Sequence, residues 1–203
     1  MPIRRRTVLQ SAALSLAAPA VVAQEKSRVL RFIPAVDLTF LDPGMSTSNI
    51  TRNHSGYVFD QLYGTNSAFE AKPQMAAGHT IEDDGLTWKI VLRDGLLWHD
   101  GEKVLARDCV QSLRRWMRRD PAAAGLESWT DELIAKDDRT IVFRLKHPFI
   151  HLPELLSKFV SPAVIMPERI AKTDPYKQVS EAIGSGPFKW VASEHILGSR
   201  AVF

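Results

Sequence analysis

Only one of the 203 residues is a cysteine, Cys109, so no internal disulfide can form even in an oxidising compartment. No internal repeat or low-complexity tract is present, and no long apolar segment follows the first two dozen residues. The glycines do not fall in a dinucleotide or phosphate-binding fingerprint. Gly184-Ser185-Gly186 lacks the Gly-x-Ser-x-Gly spacing of a nucleophile elbow, and a proline follows it where a helix should start. These gaps remove the common sequence signs of nucleotide chemistry and of serine catalysis.

The small basic excess belongs to one end. Arg4-Arg5-Arg6 precedes an apolar, alanine- and leucine-rich stretch that closes at Val21-Val22-Ala23, the charged, apolar, small-residue order of an export leader. From Leu9 onward that stretch is too short to span a bilayer as a helix. Arg5-Arg6-Thr7-Val8-Leu9 resembles a twin-arginine signal, and a general secretory leader with a basic start is the alternative. Cleavage after Ala23 would remove three of the 26 basic residues and no acid, leaving as many basic residues as the 23 acids. A near-neutral product gives no electrostatic reason to expect nucleic acid as a partner. No cysteine follows the leader directly, which argues against a lipid anchor at a mature N-terminus. The expected product is soluble and lies outside the cytoplasmic membrane.

Strands and helices interleave without a strict alternating repeat, so the expected fold class is α/β, a mixed α+β sheet protein. Arg28–Ala35 reads as a strand. Ser48 caps a helix expected to run to about Tyr63, with Ile50, His54, Tyr57, Val58 and Leu62 on one stripe and Gly64 closing it. Thr87–Arg93 alternates, with Trp88, Ile90 and Leu92 on one side. From Ala106 to Arg119 the period is helical. Cys109, Val110, Leu113, Trp116 and Met117 form an apolar face, while Arg107, Gln111, Arg114, Arg115, Arg118 and Arg119 form a solvated one. Asp120-Pro121 ends that helix. Thr140–Leu145 is a strand, Pro153 opens a short helix holding Leu155, Leu156 and Phe159, and Phe188–Ala192 begins another strand.

Three Asp-Gly pairs, at 84–85, 94–95 and 100–101, are dense enough to suggest a calcium loop. Strand residues separate the first two pairs, which keeps their carboxylates from closing on one ion. Asp-Gly suits tight turns, because glycine accepts positive φ and aspartate bonds to the local backbone. His147 and His151 have helical metal-ligand spacing, but Pro148 interrupts the helix they would need. No metal, cofactor or catalytic residue is assigned.

Leu86-Thr87-Trp88-Lys89-Ile90-Val91-Leu92-Arg93-Asp94-Gly95 followed by Trp98-His99-Asp100-Gly101 resembles the signature of the extracytoplasmic solute-binding proteins of family 5. These serve ABC importers of dipeptides, oligopeptides and nickel. Ala106-Arg107-Asp108-Cys109-Val110 and Ser112-Leu113-Arg114-Arg115 continue the resemblance, as do Leu41-Asp42-Pro43, Asp137–Phe143 and Gly184-Ser185-Gly186-Pro187-Phe188. Val104-Leu105 departs from it where a Ser or Thr cap is common, so the helix that follows is expected to fray.

The resemblance implies a type II periplasmic-binding-protein fold. Residues 24–65 would start lobe I, 66–182 would form an inserted small subdomain, and 183–203 would return to lobe I. The second lobe would be missing, and half a cleft leaves a ligand exposed. It further implies a periplasmic monomer that binds a peptide or small molecule and delivers it to membrane permease subunits. Met45, Ser46, Thr47, Trp129 and Ser161 are the candidate ligand-binding residues it points to. An exported enzyme is the competing expectation, because a twin-arginine leader suits folded, cofactor-loaded proteins.

Overall fold

Trp88, Ile90 and Leu92 are buried along Thr87–Leu92 and alternate with Lys89 and the more exposed Val91, and this alternation builds the centre of the main sheet. The computed structural model describes residues 29–203. The expected export leader and the first residue of the expected strand at Arg28–Ala35 lie outside them. Residues 34–203 form one unit.

The elements of that unit, in chain order, are α1 (Asn49–Val58), β1 (Asp60–Gln61), β2 (Tyr63–Thr65), β3 (Ala71–Pro73), β4 (Ala76–Glu82) and β5 (Thr87–Leu92). They continue with α2 (Ala106–Met117), α3 (Pro121–Trp129), β6 (Thr130–Ala135), β7 (Thr140–Leu145), α4 (Leu152–Leu156), β8 (Val164–Ile165) and α5 (Glu168–Ala171). Four strands make an antiparallel sheet in the order β4-β5-β7-β6, and β1 pairs with β8 and β2 with β3. Register sets Trp88 opposite Phe143 and Ile90 opposite Ile141, so large side chains share one face. Against that face pack Cys109, Leu113, Trp116 and Met117 of α2 and Leu126 of α3 in one continuous core. Burial pushes the Cys109 thiol pKa up, with the neighbouring Asp108 adding to the shift.

All three Asp-Gly pairs are turns. Gly85, Gly95 and Gly101 each take positive φ, and Asp100 accepts from the Glu102 N–H at 3.2 Å. Asp120 does end α2, but its carboxylate also accepts from the Ala123 N–H at 3.0 Å and caps α3, with Pro121 in the first turn. The expected fraying of α2 does not occur. Asp108 in its first turn accepts from the Leu105 N–H at 2.8 Å, the reciprocal half of a capping box. Its own N–H donates to the Leu105 carbonyl at 3.0 Å, where a Ser or Thr side chain would otherwise accept.

Several expectations are corrected by tertiary pairing. Residues 29–35 form no strand; the sheets are built from other segments. The first helix ends at Val58, not near Tyr63, since Asp60–Gln61 is drawn into pairing with Val164–Ile165; Gly64 then sits inside β2. Phe188–Ala192 forms no strand either: Phe188 donates to Tyr57 O and Val191 to Val202 O, so no single ladder can form. Phe159 falls beyond α4 and is 70% exposed.

A second core cluster joins the end of α1 (Val58, Phe59) to Met166, Ile170, Val179 and Ala182, with Trp190 and Phe203 against it. The Gly-Ser-Gly motif docks here. The Gly186 N–H donates to Val58 O at 2.9 Å, and a Cβ on Gly184 would lie 1.9 Å from Val58 O. His99, from the His-Asp-Gly turn, donates its backbone N–H to Gly184 O at 2.9 Å. Its Nε2 lies 2.8 Å from Gly186 O, which requires that nitrogen to carry the proton. Ser185 Oγ adds a 2.8 Å bond to Asp60.

His54 on α1 is wholly buried, with Phe59, Trp190 and Phe203 rings around it. Burial lowers its pKa from 6.5 to about 4; the Leu41 backbone opposes that shift and nearby His195 adds to it.

Two outcomes follow. Gly184→Ala should lower unfolding free energy by roughly 3 kcal/mol, because backbone carbonyls cannot yield as a flexible side chain does; urea titration measures it, and an unchanged midpoint would contradict the packing described. A histidine whose pKa is depressed on folding is protonated preferentially in the unfolded chain. Its contribution is therefore full above pH 6.5 and is lost as pH falls towards 4. The loss should reach about 3 kcal/mol, and should disappear in His54→Phe when the two proteins are unfolded in urea at neutral and acidic pH.

Candidate ligand-binding surface

The loop that carries Met45, Ser46 and Thr47 is fixed by a buried ion pair. Asp42 and Arg115 side chains are 1% and 5% exposed, and Arg115 Nη2 donates to Asp42 Oδ2 at 2.6 Å. Nη1 reaches the other carboxylate oxygen at 3.3 Å, which in turn accepts the Gly44 N–H at 2.9 Å. Arg115 spends its remaining donors on Thr173 O and Lys177 O. This corrects the expectation of a fully solvated arginine face on α2: Arg114 and Arg118 are exposed, whereas Arg115 points inward. Arg119 continues the brace with a 3.1 Å bond to Gly44 O.

Asp108, Ser112 and Arg115 lie at successive turns of α2. Asp108 takes the Glu168 N–H at 2.8 Å, and Ser112 Oγ donates to Met166 O at 3.0 Å. The polar positions Asp108, Ser112 and Arg115 of the stretches 106–110 and 112–115 therefore tie α2 to the segment 166–177 and to the loop at 42–44.

Of the five candidate residues, four share a neighbourhood. The backbone N–H of Met45 donates to Asp42 O in a turn, and Ser46 Oγ accepts the Ser48 N–H just before α1; Thr47 is exposed. Ser161 has φ 49°, and its carbonyl accepts the Trp116 indole N–H at 2.9 Å, so the end of α2 holds both this turn and the loop at 44. Trp129 lies apart, at the far end of α3, about 13 Å along the helix axis from its start. It is 42% exposed and edge-on to Phe149, with ring centroids 5.8 Å apart.

Arg52 and Phe159 were not anticipated. The Arg52 guanidinium sits 5.1 Å from the centroid of the exposed Phe159 ring. Among the described residues Arg52 has no carboxylate partner; it donates to Asn49, and its Nε lacks an acceptor. Phe159 was masked by its apolar character, which reads as core until α4 is seen to stop at Leu156. No described group of three His, Cys, Asp or Glu residues could hold a metal ion, and no described helix is long and apolar enough to cross a membrane.

Residues 70–203 match the model of the bacterial extracellular solute-binding proteins, family 5. The chain belongs to this family. It is 41% identical over 154 residues, 76% of its length, to the "Probable peptide ABC transporter periplasmic-binding protein y4tO" of Sinorhizobium fredii, of which it covers 29%. It is 26% identical over 197 residues to the glutathione-binding protein GsiB of Pectobacterium atrosepticum, covering 95% of this chain and 37% of that one. Among solved structures, a periplasmic binding protein MoaA from A. tumefaciens R10 in complex with mannopinic acid superimposes with a TM-score of 0.64 at 27% identity, over 76% of this chain and 32% of that one. The oligopeptide-binding protein AppA of Bacillus subtilis, at 19% identity and a TM-score of 0.66, shares the fold. The chain thus spans about three tenths of these curated relatives and solved neighbours.

One prediction concerns the brace. Arg115→Leu leaves a buried Asp42 carboxylate without its counter-charge and should cost about 3–5 kcal/mol. Replacing both residues with apolar ones of similar volume should cost less. Comparing the single and double variants by chemical denaturation checks this, and equal losses would show that the pair is not the brace.

Proposed function

We propose that this chain is part of an extracytoplasmic solute-binding protein that delivers a peptide to an ABC importer, acting as a receptor and not as a catalyst. The 41% identity to a relative described as a peptide ABC transporter periplasmic-binding protein is the observation that carries this reading. In it, the leader exports the protein by the twin-arginine route, and the mature form works as a soluble, unanchored monomer in the periplasm. Membrane permease subunits are its partners, and it uses no cofactor and binds no nucleic acid. Ligand binding shifts an open–closed equilibrium between lobes.

The reading keeps the partition at residues 24–65, 66–182 and 183–203, although the two core clusters cross it at both boundaries: Leu62 and Tyr63 pack with the subdomain, and residues 164–182 pack with the end of α1. One centres on β4–β7 with α2, and the other joins the end of α1 to residues after 163. The ligand meets this part of the protein at Met45, Ser46, Thr47 and Ser161, with Arg52 and Phe159 beside them and Trp129 on a more distant flank. A guanidinium without a carboxylate partner among the described residues, lying over an exposed ring, suits the carboxylate and apolar groups of a short peptide.

The test is uptake of labelled di- to pentapeptides in a strain where this gene supplies the sole peptide receptor. Deletion should abolish uptake, and the intact gene should restore it. Phe159→Ala should reduce uptake at limiting peptide about tenfold while changing stability by less than roughly 0.5 kcal/mol, as expected for an exposed side chain. Uptake indifferent to the gene would sink the reading. Normal uptake by the variant would move the ligand away from this surface.

A further inference from the structure

A crevice of about 190 Å³ opens between the outer face of α2 and the chain at the end of α5, away from the surface above: none of Met45, Ser46, Thr47, Arg52, Phe159 or Ser161 lines it. Gln111, Arg114, Arg115, Arg118, Lys172 and Thr173 do, so every titratable side chain on its wall is a cation. The nearby carboxylates are turned to other work. Asp42 is buried on Arg115. Glu127 meets Arg118 Nε at 2.5 Å. Glu168 is shared between Lys172 at 2.9 Å and Arg107 at 3.5 Å, and Asp174 accepts the Tyr176 N–H at 2.8 Å. Arg114 has no carboxylate partner among the described residues; Nη2 donates to Leu133 O at 2.8 Å, leaving other donors of its fork open.

We propose that this crevice binds a phosphate-type oxyanion, either free or as the headgroup of an anionic phospholipid. Arginine forks match the oxygen spacing of phosphate, and such charge-assisted bonds are the strong ones. Arg118 and Lys172 are held by exposed ion pairs, which contribute little, so both can turn to a shared anion. Arg115 cannot turn, because its donors are spent on Asp42, Thr173 and Lys177. Its charge is offset by Asp42, so it frames the back of the crevice and leaves Arg114, Arg118 and Lys172 to meet the anion. Gln111 and Thr173 add neutral donors at the wall. The volume suits a single small oxyanion.

The experiment titrates inorganic phosphate into the protein by calorimetry, with chloride at matched ionic strength as control, and repeats it for Arg114→Gln/Arg118→Gln. The parent should bind phosphate and not chloride, and the double variant should lose at least tenfold in affinity. Gln111→Glu, which adds a carboxylate to the wall without removing packing, should produce a similar loss and covers the case in which the double variant misfolds. Sedimentation with phosphatidylglycerol and phosphatidylcholine vesicles separates the two sources. Capture by phosphatidylglycerol alone, lost in the variants, assigns a headgroup; phosphate binding without capture assigns a free anion. The parent and variants carry the same N-terminal segment, so it cannot account for a difference between them. No response to millimolar phosphate or to either vesicle, or equal binding by parent and variants, overturns the proposal.

Discussion

A carboxylate removed from water must meet a counter-charge, and among the described residues Asp42 meets one at Arg115, 73 residues further along the chain. That demand fixes the loop at 42–48 on α2, and the loop fixes where α1 begins. From α1 the constraint passes to the docking of residues 184–188, whose backbone bonds to the last turn of that helix. A single burial requirement thereby orders segments that no local propensity would bring together.

The motifs that mark the family are largely of this cross-bracing kind. His99 holds the carbonyls of Gly184 and Gly186, Asp108 holds residue 168, Ser112 holds residue 166, and Arg115 holds Asp42. Each is a polar group satisfied over a long sequence separation, where apolar packing alone would leave several registers possible. The glycines have the complementary task of letting two backbones come closer than any Cβ permits. The family signature is, in this chain, a description of how the pieces are held, and the surface proposed for the ligand lies on the less constrained loops between them.

What could be read from the sequence was whatever periodicity or turn chemistry encodes locally. β5 and β7 appeared with nearly correct bounds because alternation survives in a strand with one buried face, and the Asp-Gly turns need no distant partner. β4 was invisible: it lies at the edge of its sheet, and Gly78-His79-Thr80 shows no apolar alternation. Thr130–Ala135 hid for a similar reason, its three polar residues preceding three apolar ones without alternation and the strand being only partly buried. Arg114 and Arg115 are neighbours in one charged run, and helical phase with a remote aspartate separates them. Of the candidate ligand surface, the loop at 45–47 and Ser161 were reached through resemblance. The Arg52–Phe159 contact depends on where α4 stops, which local sequence does not encode.

Cys109 sits at the interface of α2 with the sheet, with no exposed surface, and burial holds it in the thiol form. While the chain is folded, neither an oxidant nor an alkylating reagent can reach that sulfur. Its chemistry is thus a native stopwatch: the rate at which a thiol reagent consumes it records how often the helix parts from the sheet.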